Sequence, residues 1–198
     1  MMRRLCPLLL VAVQACPPVL AAEVPDDAVA VSVAREADHI LLAAEFRVPV
    51  DVRTAWSVLT DFTHMPEFLP GLKESLVLAQ NGQRLTVQQK GESTVGLFPM
   101  EYESLRAIEL KPYQSIRSRT LKGSMGSVEG VTRLMPEGQG VTLVVYSAQV
   151  QPDSSLAALV PSRYLREELM TQFQAMRAEM LRRARLQLGK SVGGSAGG

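Results

Sequence analysis

Cysteine is nearly missing from this chain, and its placement matters more than its number. Cys6 and Cys16 both fall within the first 22 residues. If that stretch is removed, no thiol remains, which excludes a disulfide, a thiolate nucleophile and a thiolate metal site. Histidine is as scarce, with only His39 and His64. Protein zinc sites draw three or four ligands from Cys, His and carboxylates, so neither a metal nor another cofactor is expected. No serine sits in a nucleophile-elbow pattern, and no glycine-rich phosphate loop of known spacing occurs. Aromatics make up 5% against nine methionines, which points to a core of aliphatic and thioether groups. Apolar runs stay short of the ~20 residues a membrane-spanning helix needs. Net charge is +1, too small for the broad positive field of a nucleic-acid binder, so no nucleic-acid partner is expected.

The first 22 residues read as a secretory signal. Arg3 and Arg4 give a basic start, Leu5–Ala15 a short apolar stretch, and Ala21 and Ala22 the small residues of a cleavage site. The exported chain then starts at Glu23 and carries 19 basic against 20 acidic residues, or −1. This predicts a periplasmic protein. An N-terminal membrane anchor and acylation at Cys16, as in a lipoprotein, are the alternatives, although Gln14 fits the lipoprotein signal poorly. Domain organisation follows as signal peptide 1–22, one domain 23–188, and a Gly/Ser-rich tail 189–198 with too little to bury for order.

Within the domain, Val29, Val31 and Val33 alternate as in a strand, and a second strand runs from Ile40 to Val50. Asp51 stands where a helix N-cap belongs, and Val52, Ala55, Trp56, Leu59 and Phe62 share one helical face. A short second helical turn is expected after Met65, closed by Pro70 and Gly71. Six strands follow, over 72–79, 84–95, 98–110, 113–121, 124–135 and 140–151, separated by turn dipeptides such as Asn81–Gly82 and Lys122–Gly123. Links this short imply antiparallel neighbours. Last comes a helix from Ser162 to Leu188 with Leu165, Leu169, Phe173, Met176, Met180, Ala184 and Leu188 along one stripe. At 1.5 Å per residue it spans roughly 40 Å, enough to cross a whole sheet. The expected class is α+β.

Two sets of residues are candidates for function. Phe68, Leu69, Leu97, Phe98, Met100, Met125, Met170, Phe173 and Met176 occur in segments that a long helix laid over a curved sheet brings together, and methionine adapts to irregular apolar guests. Arg106, Arg117, Arg119, Glu129 and Arg133 interrupt the apolar alternation of the strands. If they turn inward, Glu129, Arg117 and Arg133 form a polar patch able to orient a head group or to do acid–base chemistry; if outward, they are a solvated charge ladder.

The segment VPVDVRTAWSVLTDF at 48–62, then MPEFLPG at 65–71, LKES at 72–75, GSVEG at 126–130 and RLMPEGQGVT at 133–142 resemble the START-like superfamily. Its polyketide cyclase/dehydrase and coenzyme Q-binding branch is the most similar, although the aromatic that this branch often carries near Thr132 is absent. The resemblance covers about residues 29–188. It implies a helix-grip fold: a curved antiparallel sheet wrapped around the C-terminal helix, two short helices after the first long strand, and an apolar cavity between sheet and helix. The function expected from it is binding of a hydrophobic small molecule (lipid, isoprenoid or quinone) as a carrier or chaperone, with the loop 68–71 and Leu97–Phe98 at the mouth. The arginine-rich end of the last helix is either a solvated face or a site of transient contact with an anionic membrane surface. A cyclase- or dehydratase-type enzyme using inward polar residues of the same cavity is the alternative, an assembly partner with a vestigial cavity is a third reading, and the residues alone leave the choice open.

Overall fold

The computed structural model describes residues 28–36, 38–95, 98–124, 126–153 and 160–193. Strands β1 (Val29–Glu36) and β2 (His39–Val48) lead into helix α1 (Val52–Leu59) and a 3-10 turn (Phe62–Glu67). Strands β3 (Leu72–Asn81), β4 (Arg84–Val95), β5 (Phe98–Lys111), β6 (Ser115–Gly123), β7 (Ser127–Pro136) and β8 (Thr142–Gln151) follow, and helix α2 (Ser162–Gly193) ends the chain. All eight strands form one antiparallel sheet in the order β1-β2-β8-β7-β6-β5-β4-β3. The curved sheet with a long C-terminal helix is the helix-grip arrangement.

Register fixes which side chains meet. One inward row runs Val31, Ala44, Tyr146, Thr132 and Ile116; the next runs Leu42, Ala148, Gly130, Ser118, Ile108 and Leu85. Helix α2 lies against β1, β2 and α1, and its stripe supplies the buried Phe173 and the fully enclosed Met180. Phe46, Val48, Val58, Val87 and Val144 complete an apolar core. Burial of this kind, at about 25 cal/mol per Å² of apolar surface, is what holds the helix to the sheet.

Local chemistry sets the joints. Asp51 caps α1 by accepting from the Thr54 amide at 2.9 Å, which satisfies one of the amides a helix start leaves unpaired. Pro49 stops β2 at Val48, two residues earlier than the pattern suggests, and Val50 N–H turns back to the Val48 carbonyl at 2.8 Å. Thr142 seals the same corner by donating its hydroxyl to the Val50 carbonyl at 2.8 Å. Close packing also explains Gly71 and Gly91. A Cβ on Gly91 would lie 2.4 Å from the Gly71 carbonyl oxygen, and Gly71 has φ +75°, a conformation that side chains disfavour.

Three further expectations need correction. Strand β8 starts at Thr142 rather than 140, because Gly138, Gln139 and Gly140 are all left-handed (φ 47°, 50° and 75°) and form the turn instead. Strand β6 starts at Ser115, since Tyr113 (φ 61°) belongs to the preceding turn. Gly189 does not end α2: the helix continues to Gly193, so part of the expected tail is helical. Beyond Ala184 the apolar stripe leaves the core, and Leu188 is 68% exposed. Residues 1–27, with the expected signal peptide, and 194–198 lie outside the described residues.

Candidate ligand cavity

Between the inward sheet face and α2 lies a cavity of about 280 Å³. Leu59, Phe62, Met65 and Leu69 of the α1–β3 segment form one wall, and Leu169, Gln172, Phe173 and Met176 of α2 form the roof. Period-2 alternation places Tyr102, Ser104, Arg106 and Ile108 of β5 side by side in the floor, with Gln89, Ile116, Ser118, Thr132 and Tyr146 around them. Phe173 is the keystone of the roof, its ring 5.1 Å from Tyr146 and 5.8 Å from Phe46. Among the described residues no helix is long and apolar enough to cross a membrane, and no three His, Cys, Asp or Glu cluster as metal ligands.

The polar heart of the cavity is Arg106. Its row neighbours are Val87 and Thr120, so a guanidinium stands where the pattern asks for an aliphatic group. Nη2 donates to Gln89 Oε1. Gln89 is itself oriented by donating to Ser75 Oγ at 3.2 Å. Among the described residues Arg106 Nε is buried with no hydrogen-bond partner, and none of those lining the cavity is a carboxylate. Burial pulls the Arg106 pKa down, with Tyr146 and Tyr102 acting in the opposite direction. Burial pushes both tyrosines up: Tyr146 against the effect of Arg106, and Tyr102 with help from Glu168 at the rim. Their hydroxyls therefore stay protonated near neutral pH, as donors beside a cation. An unpaired buried charge is costly, normally by several kcal/mol, unless a partner arrives.

Of the apolar candidates, Leu69, Phe173 and Met176 line the cavity. Phe68 is half-buried outside it, beneath the Arg183 guanidinium at 5.9 Å. Met100 and Met170 are half-buried but absent from the lining. Phe98 opens β5, its side chain undescribed, and Leu97 and Met125 lie outside the described residues. The polar candidates require a correction. Glu129, Arg117 and Arg133 sit on the opposite, outward face, because the apolar Ile116 and Leu134 of the same strands take the inward parity. There they border a larger, open trough of about 820 Å³ with Glu109 and Arg119. Its charges are solvated, whereas the smaller inner cavity is where buried polar groups converge, and convergence marks a binding site better than volume does. The three form the solvated ladder, and a different polar patch, built by Arg106, Tyr102, Tyr146 and Gln89, lies inside. The signal for it was present: Tyr102, Ser104 and Arg106 share the parity of Ile108.

The basic end of α2 is largely engaged with the protein. Arg182 and Arg183 both bond Glu179, whose side chain is 6% exposed, and Arg183 also reaches Asp61 Oδ2 at 2.8 Å. Arg177 donates to the Arg47 carbonyl at 2.9 Å. These contacts tie the roof to the wall.

Residues 48–177 match the profile of the family described as polyketide cyclase / dehydrase and lipid transport. The chain belongs to this family. No curated protein matches it in sequence. Solved structures similar to it include the Zhui aromatase/cyclase from Streptomyces sp. R1128, with 18% identity, TM-score 0.60, and 81% of this chain and 99% of that one covered. A STAR-related lipid transfer protein from Xanthomonas axonopodis gives 13% identity and TM-score 0.60, covering 76% and 98%. A START superfamily protein from Mycobacterium smegmatis gives 17% identity and TM-score 0.58, covering 75% and 98%. At these identities the likeness speaks for the fold alone, which hosts many tasks.

Proposed function

We propose that this family member is an exported binding protein that carries a small hydrophobic molecule between its sheet and α2. The observation behind the reading is the inner cavity, with apolar wall and roof and one buried polar cluster in its floor. Burying about five methylenes there is worth roughly 4 kcal/mol before association costs. Cavities for drug-sized ligands run from about 300 to 1,000 Å³, so a volume of about 280 Å³ favours a compact guest. A long isoprenoid or quinone tail would have to protrude.

The test is native mass spectrometry of the protein purified from its own host, beside Thr132→Phe, which puts a ring into the floor. A small apolar adduct on the parent and none on the variant supports the carrier. A parent free of adduct that also binds no added apolar probe overturns it. Export belongs to the same reading and rests on the basic, apolar and small-residue order of residues 3–22; a mature mass starting at Glu23 checks it, and a retained leader contradicts it.

A cyclase or dehydratase is the second reading. Arg106 favours it, because a cation beside two protonated tyrosines can stabilise negative charge that develops on the oxygen of a bound carbonyl compound. Glu129 has no part in it, since it faces away from the cavity.

A further inference from the structure

Resting on the binding reading above, we infer that the occupant is a compact amphipathic monoanion, a carboxylate on an apolar body, whose head group pairs with Arg106. Three observations carry this. Among the described residues the lining carries one fixed positive charge and no acidic side chain, so a guest with a single negative charge makes it neutral. Arg106 spends one donor on Gln89 Oε1 while its buried Nε has no acceptor, and a guanidinium prefers to fill such positions with carboxylate oxygens. Gln89 is held by Ser75, so the cation is aimed rather than free to swing. Tyr102 and Tyr146 stand beside it as further donors, and Phe173 and Met176 cover the opposite side, where a tail would lie.

Neutral guests are disfavoured by the same geometry. An alcohol can accept from Nε but leaves the charge uncompensated, and a charge-assisted bond exceeds a neutral one. Size sets the other limit. A volume of about 280 Å³ corresponds to roughly nine groups the size of a water molecule at ~30 Å³ each, close to an eight-carbon acid.

The experiment measures calorimetric binding of octanoate, 1-octanol and octyl phosphate to the leaderless full-length chain and to Arg106→Met at pH 7.5. Octanoate is expected to bind about ten- to a hundredfold more tightly than 1-octanol to the parent, a ratio set by one charge-assisted bond. In Arg106→Met that preference disappears while 1-octanol binding persists. Equal affinity for octanoate and 1-octanol in the parent, or a preference that survives in Arg106→Met, overturns the proposal and leaves the cavity reading standing. Octyl phosphate binding tenfold better than octanoate also overturns it, in favour of a dianionic head. Binding of none of the three to the parent removes both readings together. Arg106→Gln, which keeps a polar side chain without charge, serves if the Met variant does not fold, and the same ratios apply.

Discussion

Phe173→Ala probes the roof directly. Phe173 is buried at the centre of α2, contacts Phe46 and Tyr146, and borders the cavity. Removing a core Phe ring costs about 3–5 kcal/mol, combining lost transfer energy with the void left behind. Here one side of the ring already faces empty space, so fewer packing partners are lost and about 3–4 kcal/mol is expected. Near 200 residues, each kcal/mol moves Tm by about 2–4 °C, which gives a fall of roughly 6–16 °C. With a urea m-value of ~2 kcal/mol/M, the midpoint drops by about 1.5–2 M. Circular dichroism melts and urea titrations of the parent, Phe173→Ala and Phe173→Leu measure this, the Leu variant losing less than half as much. A loss below ~1 kcal/mol for the Ala variant would mean that α2 is not seated on β2 and β8, and the cavity would then have no roof.

Gly91→Ala should destabilise by about 1–3 kcal/mol by denaturation, since its Cβ meets the Gly71 carbonyl at 2.4 Å and the Tyr102 hydroxyl at 2.6 Å; an unchanged midpoint would contradict that contact. Asp51→Ala should cost about 0.5–2 kcal/mol through loss of the α1 cap, read in the same titration. The cluster at the α1–α2 junction predicts a pH profile. Hydrogen bonds from Arg182 and Arg183 outweigh burial at Glu179, and those from His64 and Arg183 outweigh it at Asp61, so both carboxylates lie below their ordinary values of 4.5 and 3.8. Their stabilisation is complete above those values and is lost as pH falls through the lower, folded ones. His64 is raised above 6.5 by Asp61, so its share is present below 6.5 and fades as pH climbs through the folded value. Melts from pH 3 to 9 should therefore fall off in acid, less steeply in Glu179→Gln, and an identical acid limb in that variant refutes the assignment.

Much of the fold could be read from residues because local signals agreed with one another. Asp51, the stripe from Leu165 to Ala184 and the turn pairs between strands each name one structure. The site was harder, for a physical reason. Charged residues on a strand look alike until strand parity is assigned, and parity for β6 and β7 is carried by few strong apolar positions, Ile116 and Leu134 among them. Hence Arg117, Glu129 and Arg133 could be weighed as inward, and Arg106 was noticed without being placed. The end of α2 was misjudged because glycine in a helix costs only about 1 kcal/mol, which neighbouring helix formers such as Leu186, Gln187 and Lys190 offset.

The pairing of β2 with β8 joins residues about a hundred positions apart, with Val48 opposite Thr142. Ends that distant meet late, because closing so long a loop brings no reward until β8 exists. Until synthesis reaches α2, the greasy side of the sheet has no cover, so a nascent chain truncated before Ser162 is a species prone to stick to its neighbours.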